Sequence, residues 1–382
     1  MKQPSSFVGA RLSEVREAYG MAVGTLATLV GVHRNTIGEY ENGAQPDGPT
    51  LDRISKVLGV PAHYFFVPIV REAHAPPLFR CKSKTTETEK RQAEVHLEWV
   101  QEIDQFISKH VALPKPNLPD LSDIPAHPRL IRSEHIEEVA VRVRNQWGLG
   151  EAPLNNVVHV LEKNGYIVSH FSLGFDNVEA LFFKTHRERA YILVNKDYDS
   201  AARLRFTALH EASHDILHGR LPTNFEIDKP MKKLIEQQGN ELTLAIALPQ
   251  AFIDEVKSVS LETLRILKPR WKMSIQAMLR RLLNVGRIDK ARFASLMVHL
   301  SKRGWRMTEP HDDALPIERP TLLKSAINAL VTKAGMQKSA LGAVLPLPVG
   351  IVEKLAGLPA GYFVPDPEDF NLSVPKNIQL FG

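Results

Sequence analysis

The stretch His210-Glu211-Ala212-Ser213-His214 places two histidines four residues apart. On a helix such residues share a face and lie about 6 Å apart along the axis, so both imidazoles can reach one metal ion. Glu211, one position round the helix, can hold a water molecule beside that metal and take its proton. The pattern therefore predicts a zinc site with a carboxylate base, as in peptidases of the HExxH type.

The sequence before this motif supports the prediction. Residues 203–209 lead into His210 with a helical apolar period and no helix breaker, and residues 191–194 form a β-type run. A strand followed by a metal-bearing helix is the usual frame of a zincin site. Further helices are predicted at 134–147 and 154–164, and strands at 166–171, 178–184 and 190–195.

A catalytic zinc ion needs a third protein ligand, for which the sequence offers two candidates. His218 continues the series, but it would lie about 12 Å from His210 along a straight helix, too far for Zn–N bonds of about 2 Å. His218 is therefore assigned to packing or to the support of a ligand. Glu236 is the better candidate, on a predicted helix that ends near Pro249. Asn240, one turn further on the same face, could hydrogen-bond a ligand histidine and fix its tautomer.

The stretch from Arg205 to His218, followed by the stretch from Glu236 to Pro249, resembles the ImmA/IrrE family of phage-related zinc metallopeptidases. Residues 267–277 and 303–310 resemble segments of its longer members, which carry an Xre-type helix-turn-helix at the N-terminus. The resemblance implies Zn²⁺ as cofactor. It also implies that His210, His214 and Glu236 bind the metal and that Glu211 is the general base.

One position departs from the family pattern, because the usual Ala-Asn pair is Gly239-Asn240 in this chain. Glycine in a helix interior costs about 1 kcal/mol relative to alanine. We therefore expect the helix packing under the metal site to differ from that of the family.

Residues 1–70 are predicted to form a small all-α domain. Short helices are expected at 9–19, 25–30, 33–40 and 50–58, around a turn at Gly31-Val32. The series of short motifs that ends in Leu58-Gly59-Val60 resembles lambda-repressor-like domains of the Xre family. Such a domain would place the third helix in the major groove of DNA, with four residues facing base edges or phosphates: His33, Arg34, Asn35 and Thr36.

The charge of this domain leaves its role open. Residues 1–66 carry six basic and six acidic side chains, whereas affinity for DNA depends largely on neutralised phosphates. Ala22-Val23 stands where the family often has a Ser-Gln pair, and Gly38-Glu39 occupies the reading helix. Two roles are consistent with this: operator binding, strengthened by a homodimer that doubles the contacts, and recognition of a protein partner.

The rest of the chain is divided by composition. Residues 71–130 contain a predicted helix over 87–111 and proline-rich segments, and are assigned to a linker. Residues 131–250 are predicted to form an α+β zincin-like metallopeptidase domain. Residues 251–310 are predicted to be a helical extension with 13 Lys/Arg against 5 Asp/Glu, and residues 311–382 show no evident chemistry. The predicted fold is thus multidomain, with a mainly α-helical C-terminal region.

Composition sets limits on the class of protein. The 382 residues are 43% hydrophobic, which is ordinary for a globular protein. No apolar run reaches the roughly 18 residues of a membrane span, and the N-terminus lacks the apolar stretch of a signal peptide. The lone cysteine, Cys81, suits a reducing cytoplasm. The net charge of +5 does not by itself indicate nucleic acid.

These features favour a zinc-dependent endopeptidase coupled to a helix-turn-helix domain. The resemblance implies that a repressor-type protein is cut, which would regulate phage, mobile-element or stress genes. Two alternatives stay open: a DNA-binding transcription regulator whose metallopeptidase-like domain senses a ligand or metal, and an antitoxin-like or defence component that holds a protein partner. An oxyanion-stabilising residue is also expected, with His170 and His186 as candidates.

Overall fold

A computed structural model describes residues 6–74, 78–81, 84–185, 188–197, 200–222 and 225–365. Two large apolar cores lie on opposite faces of one four-stranded sheet. One core is built from the helices between residues 133 and 302. The other is built from the N-terminal helices, one long central helix and the C-terminal helices. The predicted fold class is confirmed.

The N-terminal domain contains four helices: α1 (Gly9–Ala18), α2 (Val23–Val30), α3 (Arg34–Glu41) and α4 (Gly48–Leu58). Gly31 ends α2 in the left-handed conformation (φ 75°), which a glycine adopts at no steric cost. The Asp47 carboxylate caps α4 by accepting the Thr50 N–H at 2.7 Å. Ile37 is the one fully buried residue of α3, so the other side chains of α3 lie at or near the surface.

Helix α5 (Glu87–Ile107) is the main element of residues 71–130, which were assigned to a linker with a predicted helix over 87–111. A capping box formed by Thr86 and Glu89 begins the helix, and its second half is buried on nearly every side. It packs against α1 on one side and against the sheet on the other. Helix α5 therefore lies at the centre of the molecule, because α1, the sheet and the C-terminal helices all pack on it.

Buried ion pairs fix the N-terminal domain to α5. The guanidinium of Arg11 on α1 is fully buried and donates to both carboxylate oxygens of Glu102 on α5, at 2.9 and 2.7 Å. Arg71 bridges Glu98 and Glu102, at 2.5 and 2.7 Å, and also contacts Glu14 of α1. Separating the two sides of such a buried pair would leave uncompensated charges, which is strongly unfavourable. The ion pairs therefore hold the N-terminal domain in one position on α5.

The sheet has the strand order β1-β3-β4-β2, with β1 (Leu78–Cys81), β2 (Tyr166–Phe171), β3 (Val178–Lys184) and β4 (Ala190–Asn195). The last three strands were predicted with these bounds. Strand β4 pairs parallel with β2 and antiparallel with β3. Because side chains alternate along a strand, Tyr191 and Leu193 enter the core that contains α5, whereas Ile192 and Val194 enter the other core.

The face of the sheet opposite α5 carries four helices: α6 (Ser133–Gln146), α7 (Val157–Lys163), α8 (Ala201–His218) and α9 (Lys229–Ala247). Four more helices continue this core: α10 (Gln250–Glu255), α11 (Leu261–Trp271), α12 (Ile275–Asn284) and α13 (Lys290–Lys302). The predicted basic extension is thus not a separate layer, because α12 packs directly on α9 and buries Met278, Leu279 and Leu282 in the same core.

The C-terminal helices α14 (Leu322–Thr332), α15 (Lys338–Val344) and α16 (Val349–Ala356) repeat part of the N-terminal domain. Residues 357–363 read Gly-Leu-Pro-Ala-Gly-Tyr-Phe, and residues 59–65 read Gly-Val-Pro-Ala-His-Tyr-Phe. Both opening glycines are left-handed helix caps, with φ of 69° and 65°. Four residues join α15 to α16, where α3 separates α2 from α4. The C-terminal unit therefore resembles the N-terminal domain in its helix order and closing turn, with no counterpart of α3 among its described residues.

Within the described residues, no single helix combines the length and the apolar character needed to cross a bilayer. Only α15 and α16 taken together pass on length and composition, and they are bent by 103°.

His96 provides a test of the α5 core. Burial lowers the pKa of His96 to about 4, while its Nδ1 donates to the Gln92 carbonyl at 2.7 Å. The folded-state pKa is thus below the unfolded value near 6.5, so the neutral ring contributes stability above that pH and loses it as pH falls toward 4. We expect the free energy of unfolding to fall by about 2 kcal/mol more between pH 7 and pH 5 in the wild type than in His96→Phe. Urea denaturation in EDTA measures this difference. The control His110→Phe changes an exposed histidine and should show the same loss of stability between pH 7 and pH 5 as the wild type. An equal loss in all three proteins would show that burial of neutral His96 does not contribute to the pH dependence.

Candidate metal centre

Helix α8 carries the metal motif through the middle of one core. The Ser200 hydroxyl caps its first turn, and nearly all of its residues from Ala201 to His218 are buried. The sheet covers one side of α8 and helix α9 covers another. Polar residues on such a helix need specific partners, because an unpaired buried polar group costs about 1–3 kcal/mol. The histidines of α8 therefore have their positions set by their neighbours.

His210 and His214 lie on the face of α8 that meets α9. Their Nε2 atoms are 2.9 Å apart. The carboxylate of Glu236 on α9 approaches both of them, at 3.4 Å from His210 Nε2 and 3.6 Å from His214 Nε2. The three side chains form one cluster whose ligand atoms all lie within 4.8 Å of one another.

This donor set fits a divalent metal ion. Two ligands at about 2.0–2.1 Å from a tetrahedral zinc ion are separated by roughly 3.3 Å, and the three measured separations lie on either side of that value. Two imidazoles and one carboxylate are also the ligand set of catalytic zinc sites that keep a position open. The imidazole rings are almost fully buried, whereas the Glu236 side chain is 40% exposed. The open side of the cluster therefore faces the same direction as Glu236.

His218 lies next to this cluster, in contact with His214 rather than with the predicted metal position. Its Nδ1 is 3.4 Å from Nδ1 of His214, and its Nε2 is 3.1 Å from Oε1 of Gln238. Burial lowers the pKa of His218 to about 4, so this ring is neutral near pH 7. The Gln238 amide is itself fixed, since its Nε2 donates to the carbonyls of Pro128 and Ile131.

These contacts determine the tautomer of His214. The carbonyl oxygen of Gln238 can only accept, so Nε2 of His218 must donate to it. In a neutral ring Nδ1 of His218 is then the acceptor, and Nδ1 of His214 is the donor. The lone pair of His214 is left on Nε2, the atom that faces Glu236 and His210. Sequence reasoning missed Gln238, whose only signal was a polar residue on the inward face of a predicted helix.

Asn240 does not make the hydrogen bond that the sequence suggested. Its amide nitrogen donates to the backbone carbonyl of Glu236 at 2.8 Å, within the same helix. The hydrogen bond to His214 that was predicted for Asn240 is made by His218, which Gln238 holds in turn. Both residues lie on the face of their helices that enters the core.

Glu211, the predicted base, follows His210 on α8 and is 1% exposed. Of the two predicted oxyanion residues, the structure describes only His170. His170 is on β2 and does not line the cleft that borders the cluster, and His186 lies outside the described residues.

A cleft of about 1060 Å³ borders the metal cluster and reaches it through Phe206, Glu236 and Asn240. One wall consists of residues from α8 and α9. The opposite wall consists of residues from α12 and α13 and from the segment that follows α13, where Met307 is the most exposed large apolar side chain among the described residues. The cleft is large enough for several side chains of a peptide.

Buried carboxylates position the residues beyond α13 against this domain. Glu318 accepts the backbone N–H groups of Val157 and Val158 at the start of α7 and pairs with Arg205 of α8. Glu162 of α7 accepts the N–H groups of Thr321 and Leu322 at the start of α14. Each carboxylate satisfies helix N–H groups that would otherwise lack partners. These roles were not visible in the sequence of residues 311–382.

The proposed DNA-reading residues lie at the surface. His33, Arg34 and Asn35 are exposed, and Thr36 is partly exposed. Nδ1 of His33 accepts the Asn35 N–H at 3.2 Å and so caps α3. The metal cluster and α3 are separated by the sheet and α5, so the structure does not bring these two sets of residues together.

Comparison with known families gives two matches. Residues 12–65 match the family described as helix-turn-helix, and residues 162–283 match the family described as IrrE N-terminal-like domain. The second match runs from α7 to α12 and includes all four residues of the motif: His210, Glu211, His214 and Glu236. The resemblance drawn from the sequence is thereby confirmed. No curated protein matches the chain.

Gly239 allows α9 to approach His214. A Cβ atom at Gly239 would lie 2.7 Å from Cε1 and 3.2 Å from Nε2 of the His214 ring. We expect Gly239→Ala to push this ring out of place and to weaken zinc binding by roughly tenfold or more. The metal-free protein should lose no more than about 2 kcal/mol of stability, because the cost of overpacking, about 1–3 kcal/mol, is offset by the roughly 1 kcal/mol by which alanine favours a helix over glycine.

Competition with a fluorescent zinc chelator, together with thermal unfolding in EDTA, would measure both effects. Gly350→Ala is the matched control, since Gly350 is in α16 and a Cβ there meets nothing within 4 Å. Unchanged zinc affinity in Gly239→Ala would show that the close approach to His214 has no role in metal binding.

Proposed function

We propose that this chain, which joins an Xre-type helix-turn-helix domain to an ImmA/IrrE-like domain, is a zinc-dependent endopeptidase that cuts a repressor-type protein. The observation that carries the proposal is the cluster of His210, His214 and Glu236, which lies beside Glu211 and opens on a cleft. A histidine pair with one carboxylate is a ligand set of hydrolytic zinc sites rather than of structural ones, which are usually closed by four side chains.

A zinc ion held by these three side chains would lower the pKa of water toward 7 and polarise the scissile carbonyl group. Glu211 takes the proton of the attacking water and passes it to the nitrogen of the leaving amine. His218 and Gln238 hold His214 in the tautomer that presents Nε2. The cleft holds the peptide beside these groups and restricts the access of bulk water, which strengthens each electrostatic contact.

Glu211→Gln tests this mechanism. The amide keeps the size of the side chain but cannot accept a proton, so we expect peptide cleavage to fall by about 10²- to 10⁴-fold. Zinc content should stay at about one ion per chain. Cleavage is measured as new peptide N-termini in a proteome-derived peptide library, detected by mass spectrometry. His214→Ala is the comparison, because it should lose both zinc and activity. Equal cleavage by the wild type and Glu211→Gln would exclude Glu211 as the base.

Sequence-specific DNA binding by the N-terminal domain is a second proposed function. Its support is the helix-turn-helix match and the exposure of His33, Arg34 and Asn35 at the start of α3. The reading helix approaches DNA as part of the same body as the metal centre, because Arg11 is bonded to α5 and α5 packs on the sheet. A regulator that reads an operator and cuts a repressor therefore matches both ends of the molecule.

Arg34→Ala tests DNA binding. We expect this change to weaken binding to duplexes selected from random-sequence DNA by roughly 5- to 100-fold, as one lost base contact does. Fluorescence anisotropy measures the affinity. The control is Lys354→Ala, because Lys354 is an exposed basic residue of the C-terminal unit that has no reading helix. Failure to select any DNA sequence would favour partner recognition as the role of the N-terminal domain.

A further inference from the structure

The cleft beside the metal cluster has an unbalanced set of charges. Four exposed basic side chains line it: Lys233, Arg280, Lys290 and Arg306. None of the four forms an ion pair with a carboxylate of the described residues. A fifth, Arg203, is paired with Glu179 at 2.6 Å. Low-dielectric walls focus such a field, so the four free charges favour an anionic occupant.

The acidic residues of the same cleft are already occupied. Nζ of Lys268, which is fully buried, lies 2.9 Å from Glu309 and 2.5 Å from Asp312. Glu309 also accepts the N–H groups of Ile275 and Gln276 at the start of α12. Lys268 therefore cancels one of these two negative charges from behind, and the N–H groups of α12 stabilise the Glu309 carboxylate, which leaves the three side chains with a net charge of about −1.

The two remaining carboxylates have other partners. Glu236 belongs to the metal cluster, and Glu241 accepts a hydrogen bond from Gln237 at 2.9 Å. A bound divalent ion would add further positive charge at this end of the cleft. The four unpaired cations thus exceed the three remaining negative charges of the cleft by about one, and a bound divalent ion would raise this positive surplus to about three.

The basic groups alternate with apolar ones on the wall that faces the metal. The Arg280 guanidinium lies 4.6 Å above the ring of Phe293, which limits its freedom. Phe293 lies on α13 between Lys290 and Met297, which also line the cleft. A guanidinium already held on a ring loses less conformational entropy when a carboxylate binds it, so this wall is prepared for such a contact.

We infer that the peptide taken by this site carries acidic side chains next to its scissile bond, with apolar residues between them. The inference rests on the proposed peptidase function. An extended peptide advances about 3.3 Å per residue and points successive side chains in opposite directions. One set would face the metal wall of α8 and α9, and the other set would face Arg280, Lys290 and Arg306.

Binding can be measured separately from cleavage. The protein is the full chain carrying Glu211→Gln, loaded with zinc. The probes are a fluorescent degenerate decapeptide library and its counterpart in which Gln and Asn replace Glu and Asp. We expect the acidic library to bind roughly 3- to 10-fold more tightly, as two or three exposed ion pairs would give. The preference should weaken at high salt.

Charge reversal localises the effect. Arg280→Glu/Lys290→Glu should abolish the preference for the acidic library or invert it. Arg292→Glu/Lys302→Glu is the matched control, because it makes the same change in charge at exposed positions of α13 that do not line the cleft. This control should keep the preference.

The outcomes distinguish the two proposals. Equal binding of both libraries, or an equal loss in both double variants, overturns the inference while cleavage by the wild-type protein still supports the peptidase. An acidic preference with no cleavage by the wild type supports the inference for the cleft and overturns only the peptidase. Displacement of the peptides by a single-stranded DNA of equal length at lower concentration would assign the cleft to nucleic acid and overturn the inference.

Discussion

The close contact between α8 and α9 at Gly239 is the constraint on which the metal site depends. With no Cβ at this position, the backbone of α9 can lie against the His214 ring, and Glu236, one turn earlier, then reaches both histidines. The same approach brings Gln238 to His218, so one helix supplies both a ligand and the residue that fixes a tautomer. Gly239, which replaces the usual alanine of the family pattern, thus permits the close helix packing at this site.

The sheet connects the helix that carries the metal motif to the rest of the molecule. One face of it packs on α8, and the other packs on α5, to which Arg11 holds the helix-turn-helix domain. Tyr191 of β4 donates to Asp104 of α5 at 2.6 Å, so the strand and the helix are joined by a polar bond as well as by apolar packing. The sheet and α5 thus form the layer that connects the metal-binding cluster to the helix-turn-helix domain.

The C-terminal unit adds a second use of the helix-turn-helix plan. It keeps the first two helices, the last helix and the Pro-Ala-x-Tyr-Phe turn, and it buries them against α5 and β2. Without a counterpart of α3, this unit packs on α5, the helix that also contacts α1 of the helix-turn-helix domain. Together with the carboxylates of Glu162 and Glu318, this unit connects the end of the described chain to the helix that bears the metal motif.

The local features of this protein could be predicted from its sequence. The HExxH spacing fixes which two histidines share a helix face, and short β-type runs predicted three strands with their observed bounds. These are short-range effects, since helix and strand periods act between residues a few positions apart. The roles of Gln238, Lys268 and Glu318, and the central place of α5, were decided only by tertiary structure. Each role depends on a buried polar group that forms a hydrogen bond or ion pair with a residue far away in the chain. Such a pairing leaves no periodic pattern in the sequence.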